Sequence, residues 1–224
     1  MSSIVPAAAV IDAAPPLVRR APAALKRTMD VALAVPLLAL ALPVIALAAV
    51  AIRLADCGPA FYSQVRLGRD GRPFRLWKLR TMVPNAERVL ARRLTADDAV
   101  KAEWAATCKL ADDPRILPGI GHMLRRYAID EVPQLWNVLR GDLSLVGPRP
   151  LPPYHLNALD AGTRTLRRGV RPGLTGLWQV ARRDRSLGEM ARLDAAYVRS
   201  WTPLLDVWLL LRTIVVLSGG RHCL

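Results

Sequence analysis

The longest uncharged apolar run covers 22 residues, Val31 to Ile52, and basic residues stand on both sides of it: Arg19, Arg20, Lys26 and Arg27 before, Arg53, Arg66, Arg69 and Arg72 after. Wound as a helix, the run is about 33 Å long, barely enough for a hydrocarbon core of about 30 Å. Lys and Arg beside a membrane segment favour the cytoplasmic side, and here both flanks claim that side. A single span would carry one flank across. A hairpin that enters and leaves by one face would not. Pro36 and Pro43 each remove a helical hydrogen bond and tend to bend the axis. With a bend at Leu42-Pro43, each arm is only about 18 Å long and cannot cross alone. The residues themselves leave the span and the re-entrant hairpin both open.

Elsewhere the pattern changes period. Residues 1–24 are rich in Ala and Pro with no sustained period and read as a disordered tail. The apolar run starts too late and is too long for a signal peptide. After it, Ala60 to Val65 reads as a strand, Gly68-Arg69-Asp70-Gly71 as a turn, and Phe74 to Leu79 alternates apolar and basic residues, which together predict a hairpin. Asn85 to Leu110 reads as a helix capped by Asn85, with a basic amphipathic face that suits either a membrane surface or solvent. Ile120 to Tyr127 predicts a short basic helix or strand. Asp130 is positioned to cap a helix that ends at Gly141. Leu156 to Gly169 and Leu187 to Arg199 predict further helices. Leu204 to Leu217 is strongly apolar but interrupted by Asp206 and Arg212, and its 14 residues fit an interfacial helix better than a span. The final residues, 219–224, form a short tail.

Composition narrows the class. Hydrophobic residues make up 52% of the 224 but aromatics only 5%, so Ala and Leu dominate, which favours helices. The net charge is +14. In a soluble protein that would suggest nucleic acid; beside a membrane segment it suggests anionic headgroups or phosphate-rich ligands. No recognised nucleic-acid motif accompanies the charge. Cys57, Cys108 and Cys223 are scattered and odd in number, so free thiols in a reducing compartment are expected. The three histidines have no metal-ligand spacing.

Two features can carry chemistry. The first is Arg125-Arg126-Tyr127-Ala128-Ile129-Asp130-Glu131. Adjacent carboxylates beside arginines can hold Mg²⁺ and a diphosphate together, and an ionised carboxylate can attack phosphorus without a base. Helix capping by Asp130 and Glu131 accounts for the same residues. The second is a pair of rigid Arg-Pro loops around Arg149 and Arg171, suited to phosphate oxygens or equally to plain structural turns. Lys78 and Arg80, alternating on a strand, add two cations on one face.

Six segments occur here in the order of a known family: Lys26-Arg27-Thr28-Met29-Asp30; Trp77-Lys78-Leu79-Arg80-Thr81-Met82; Asp113-Pro114-Arg115-Ile116; Ile129 to Leu135; Asn137 to Pro150; and Val170 to Val180. Over nearly the whole chain from Lys26 it resembles the bacterial sugar transferases, the monotopic phosphoglycosyl transferases. Without the long membrane-spanning extension of larger members, it resembles the short, exopolysaccharide-initiating type. The resemblance implies a helix-rich α+β fold with a re-entrant membrane helix over 25–53 broken at Leu42 and Pro43, interfacial amphipathic helices, and a small cytosolic catalytic module over 54–218. The family often has Ser-Pro at that break, and leucine here cannot supply the hydroxyl.

The implied activity is transfer of a sugar-1-phosphate from a UDP-sugar, a hexose by the short-form likeness, to undecaprenyl phosphate with release of UMP. By position, Asp130 would be the nucleophile that becomes an aspartyl-phosphosugar. Glu131 would support Mg²⁺ together with Asp130, and Lys78, Arg80, Arg125, Arg149 and Arg171 would bind phosphate. The resemblance further implies the inner face of the bacterial cytoplasmic membrane as location, with membrane lipids and downstream glycosyltransferases as partners and no nucleic acid. The rival reading of the same charges is a non-catalytic basic membrane anchor that recruits an anionic partner.

Overall fold

A computed structural model describes residues 23–107, 110–181 and 186–218. Most of the expected N-terminal tail, Cys108, Cys223 and residues 219–224 therefore lie outside the described residues. Helix α1 runs over Ala23–Ala55, two residues longer at each end than the predicted 25–53. It is long and apolar enough to cross a membrane by length and composition, with a mean hydropathy of 2.7 in its most apolar window. Pro36 and Pro43 both lie inside it. The helix continues through Leu42 and Pro43, so any change of direction there is a bend within one helix and not a loop between two.

Two faces of α1 meet different surroundings. Ala34, Leu38, Ala41, Ile45, Ala48 and Ile52, spaced alternately by four and three, pack on the rest of the protein. On the other side Leu40, Leu47 and Leu54 are 77%, 72% and 83% exposed. The polar flanks are bound as well. Arg27 donates to the carbonyls of Val138 (2.6 Å) and Leu139 (2.8 Å). Lys26 bridges Asp30 (3.0 Å) and Asp206 (2.7 Å). Buried Asp30 also accepts from the Ser144 hydroxyl and the Leu145 amide. At the other end Asp56 pairs with Arg80. Both ends of the apolar helix are thus tied to the same body, through groups that would leave unpaired buried charges if separated.

That body follows α1 with an antiparallel hairpin, β1 (Phe61–Leu67) and β2 (Pro73–Leu79), joined through a 3₁₀ turn at Arg69–Gly71. Tyr62 stands opposite Lys78 and Arg66 opposite Phe74. The helix expected over 85–110 is two: α2 (Ala86–Ala96) and α3 (Asp98–Thr107). Asp97 causes the division, because its carboxylate accepts from the amides of Ala99 and Val100 and so starts a new helix. Asn85 sits at the first N-cap position, but in a left-handed conformation and without a capping hydrogen bond.

Helix α4 (Gly121–Arg126) leads through Ala128, at φ 53°, into a 3₁₀ turn at Ile129–Glu131, and α5 (Gln134–Arg140) follows. Gly141, at φ 88°, ends α5 as expected. Buried Asn137 fastens α5 to the hairpin: its Oδ1 accepts from the Trp77 amide and its Nδ2 donates to the Arg75 carbonyl.

Both Arg-Pro loops border a parallel strand pair that the alternation pattern did not predict, β3 (Ser144–Val146) and β4 (Gly173–Thr175). The strands meet at glycines. A Cβ on Gly173 would fall 2.0 Å from the Gly147 amide nitrogen, so a side chain is sterically forbidden there. The expected helix over 156–169 is also two, α6 (Pro153–Asn157) and α7 (Ala161–Arg168), the second capped by Asp160. Then come α8 (Leu177–Ala181), α9 (Leu187–Ser200) and α10 (Pro203–Ser218). Leu204, Val207, Leu211 and Ile214 leave an apolar stripe of α10 exposed.

Candidate active site

The site begins at the 3₁₀ turn. Asp130 does not cap a helix: no side-chain capping bond is made there, and Gln134, not Asp130, opens α5 beyond Pro133. Asp130 as a whole is 9% exposed, and among the described residues no Lys or Arg pairs with its carboxylate within 4 Å. Burial pushes the Asp130 carboxyl up to about 6, with Lys78 and Arg125 pulling it down and Glu131 pushing it further up. Glu131 is differently placed. It accepts from Lys78 Nζ at 2.6 Å and lies 3.8 Å from Arg149 Nη2.

The segment from Lys78 to Thr81 divides its work. Lys78 reaches Glu131. Thr81 accepts from Arg125 Nε at 2.9 Å, which holds Arg125 near Asp130 and Asp113. Arg80 turns away. It donates to Asp56 (2.8 Å) and to the carbonyls of Pro59 (2.6 Å) and Met82 (3.1 Å), and it is 8% exposed. The expected placement of Arg80 with Lys78 in a phosphate site is therefore corrected. The Arg80 amide still donates to the Ala60 carbonyl in the hairpin register, and it is the side chain that departs, held by Asp56 just beyond the end of α1. Arg80→Ala is expected to destabilise the protein by about 2–3 kcal/mol by loosening the end of α1, leaving KM for the substrates within about threefold. Thermal unfolding and steady-state kinetics check this, and a large rise in KM with unchanged stability would return Arg80 to the site.

The two loop arginines also part company. Arg149 lies over the Trp178 ring, with its carbon 5.9 Å from the centroid, and reaches toward Glu131. Its own carbonyl accepts from Arg167, which is buried against Asp194. Arg171 donates to the Gly141 carbonyl at 2.9 Å and so helps Arg27 close the end of α5. It is not among the residues that line the pocket beside Glu131.

That pocket lies between the hairpin and the loop at Arg149-Pro150. Lys78, Glu131 and Arg149 line it, with Gln64, Arg66 and Gln134, which sequence reasoning had missed. Gln64 and Arg66 are two apart on β1 and so share its face; on sequence they are ordinary members of a basic hairpin. Among the described residues no group of three or more His, Cys, Asp or Glu side chains could hold a metal ion. The adjacent carboxylates Asp130 and Glu131 nonetheless fit Mg²⁺, which binds one or two carboxylates and takes its other oxygens from water and substrate phosphates. An unpaired, desolvated carboxylate at Asp130 is the feature that such an ion would satisfy.

A desolvated carboxylate next in sequence to Glu131, which lines a cation-rich pocket, suits an anionic substrate, on a body whose N-terminal helix is long and apolar enough to cross a membrane. The sequence comparisons name the class: a family model described as bacterial sugar transferase matches residues 21–220. The chain belongs to that family and is a phosphoglycosyl transferase. It is 39% identical over 200 residues to the exopolysaccharide production protein ExoY of Sinorhizobium fredii, covering 88% of each chain. It is 38% identical over 207 residues to the UDP-glucose:undecaprenyl-phosphate glucose-1-phosphate transferase of Caulobacter vibrioides, covering 89% of this chain and 72% of that one. It is 38% identical over 211 residues to the undecaprenyl-phosphate galactose phosphotransferase of Salmonella typhimurium, covering 92% of this chain but 43% of that protein.

Proposed function

We propose that this enzyme transfers a hexose-1-phosphate from a UDP-hexose to undecaprenyl phosphate, releasing UMP, as the first membrane step of exopolysaccharide synthesis. The observation that carries the reading is Asp130, a buried residue whose carboxylate has no cation partner within 4 Å among the described residues and whose neighbour Glu131 lines a pocket with Lys78 and Arg149. Ionised Asp130 attacks the sugar-linked phosphorus. The bond from that phosphorus to the bridging oxygen breaks, its electron pair leaves with UMP, and an aspartyl-phosphosugar remains. An oxygen of undecaprenyl phosphate then attacks the same phosphorus and releases the carboxylate. Both nucleophiles are already anions, so neither half-reaction needs a general base. Mg²⁺ held by Asp130 and Glu131 would neutralise diphosphate charge. Arg125 and Arg149 supply fixed positive charge where the leaving phosphate gains its own, and Lys78 steadies Glu131.

The membrane geometry belongs to the same proposal. Helix α1 is re-entrant, entering and leaving by the cytoplasmic face of the inner membrane, with α10 lying at the interface. Support comes from the ties at both ends of α1 to one body and from the exposed leucines of α1 and α10. The catalytic turn then stands at headgroup depth, where the lipid phosphate lies.

The reaction is tested by incubating membranes that carry the protein with Mg²⁺, undecaprenyl phosphate and a panel of UDP-sugars. UMP is expected from the matching sugar; release of UDP would mean transfer of a bare sugar and end the reading. A second outcome follows from the raised carboxyl. Only ionised Asp130 attacks, so kcat/KM should fall about tenfold per pH unit below an apparent pKa of about 6 and level off above it. A profile flat down to pH 4.5 would remove Asp130 as the titrating nucleophile.

A further inference from the structure

We propose that Arg66, oriented by Gln64, is a substrate-binding residue that holds a phosphate oxyanion of the nucleotide on the side that leaves as UMP. The inference rests on the transferase reading above and assigns a group that none of the recognised motifs contains.

Arg66 Nη2 donates to Gln64 Oε1 at 2.7 Å, while Arg66 Nε is buried and has no hydrogen-bond partner among the described residues. An arginine fork with one edge held and a buried donor unpaired lacks an acceptor, and leaving such a donor unsatisfied costs free energy. Its neighbourhood says which acceptor. Arg149 lies close enough to repel it, and both line the pocket with Lys78. Three cations therefore meet there against one carboxylate, Glu131, which Lys78 already engages. The surplus positive charge at this spot calls for an anion, and a guanidinium edge matches two phosphate oxygens.

Register suggests which phosphate. Lys78 faces Tyr62 across the hairpin, whereas Arg66 faces Phe74, four residues nearer the turn. Lys78 marks the catalytic carboxylates through Glu131. Arg66 stands further along the same face, where the second phosphate of a diphosphate extends beyond the one under attack. Gln64 limits the guanidinium to few orientations, which lowers the entropy lost on binding. Besides Arg149, the titratable groups that bear on Arg66 are Tyr154, Tyr62 and Glu131.

The test uses the full chain in detergent or nanodiscs, with UMP as the probe. Arg66→Ala should weaken UMP binding at least tenfold and raise KM for the UDP-sugar similarly, leaving KM for undecaprenyl phosphate unchanged. Arg66→Lys should recover only part, because an ammonium cannot fork. If Arg66→Ala does not fold, Gln64→Ala carries the same measurement, with an expected loss of about threefold from the freed guanidinium. A rise in KM for the lipid phosphate with intact UMP binding would assign the oxyanion to the lipid and overturn the proposal. So would a folded Arg66→Ala with wild-type values for both substrates, while UMP release by the wild type stands. A wild type that neither binds nor releases UMP would overturn the transferase reading as well.

Discussion

Asp130→Asn is expected to lower turnover at least about a thousandfold while making the protein more stable than the wild type. The two effects share one cause. Folding buries this carboxylate beside Glu131, and its carboxyl is raised from 3.8 to about 6. An acid whose pKa is raised on folding binds its proton more tightly in the folded state. Its ionised form therefore destabilises the fold above about pH 6, and the cost vanishes as pH falls through that value toward 4. Asparagine removes the charge at nearly constant shape, so stability should rise by about 1–3 kcal/mol near neutrality, with little difference at acid pH. Denaturant unfolding at two pH values and a UMP-release assay read both outcomes. An inactive variant that is also less stable at pH 7.5 would show that Asp130 serves the fold, as a cap or buried partner would.

The second large effect is expected far from the chemistry. Asp194→Asn should destabilise the protein by about 3–5 kcal/mol, because it leaves the buried Arg167 guanidinium without its counter-charge. Arg167 does more than pair. It also donates to the Arg149 carbonyl and thereby holds the loop that presents Arg149 to Glu131 and the pocket. Stability and positioning can be separated. Replacing both partners, Arg167→Met with Asp194→Leu, removes the charges together and should recover much of the lost stability. It should not recover kcat/KM, because the Arg149 loop still lacks its donor. Calorimetry with steady-state kinetics on the single and double variants decides this. Full activity in a restored double variant would reduce the pair to a structural role.

What the sequence reveals about this fold depends on the range of the interactions that decide it. The hairpin was legible because alternation over Phe74 to Leu79 and the Gly-Arg-Asp-Gly turn are local signals; α9 follows from its amphipathic pattern in the same way, and α10 from its apolar composition. The β3–β4 pair was not legible. Each strand is three residues long, and the pairing rests on close approach of Gly147 and Gly173, 26 positions apart. The division of the helix after Ala96 turns on whether one aspartate bonds to the backbone ahead of it, which pattern alone does not settle.

The site divides along the same line. Asp130, Glu131, Lys78, Arg125 and Arg149 stood out as charges in rigid or adjacent positions. Arg80 was expected beside Lys78, but its side chain is taken by Asp56 beyond the end of α1, a partner 24 positions away that only the folded chain brings near. Arg66 and Gln64 were missed because a basic strand facing solvent and a basic strand facing a pocket read alike until the loop at Arg149 closes over them. The apolar helix is intermediate: its existence is plain from composition, but the ties that fasten both of its ends run to Val138, Asp206 and Arg80, which only the folded chain brings near.

The most direct measurement is the intact mass of the protein after mixing with Mg²⁺ and its UDP-sugar in the absence of undecaprenyl phosphate. One equivalent of UMP should appear, and the chain should gain the mass of one hexose phosphate less water, mapped to Asp130 and discharged when the lipid phosphate is added. UMP forming only when lipid is present, on a protein whose mass never changes, would contradict the account.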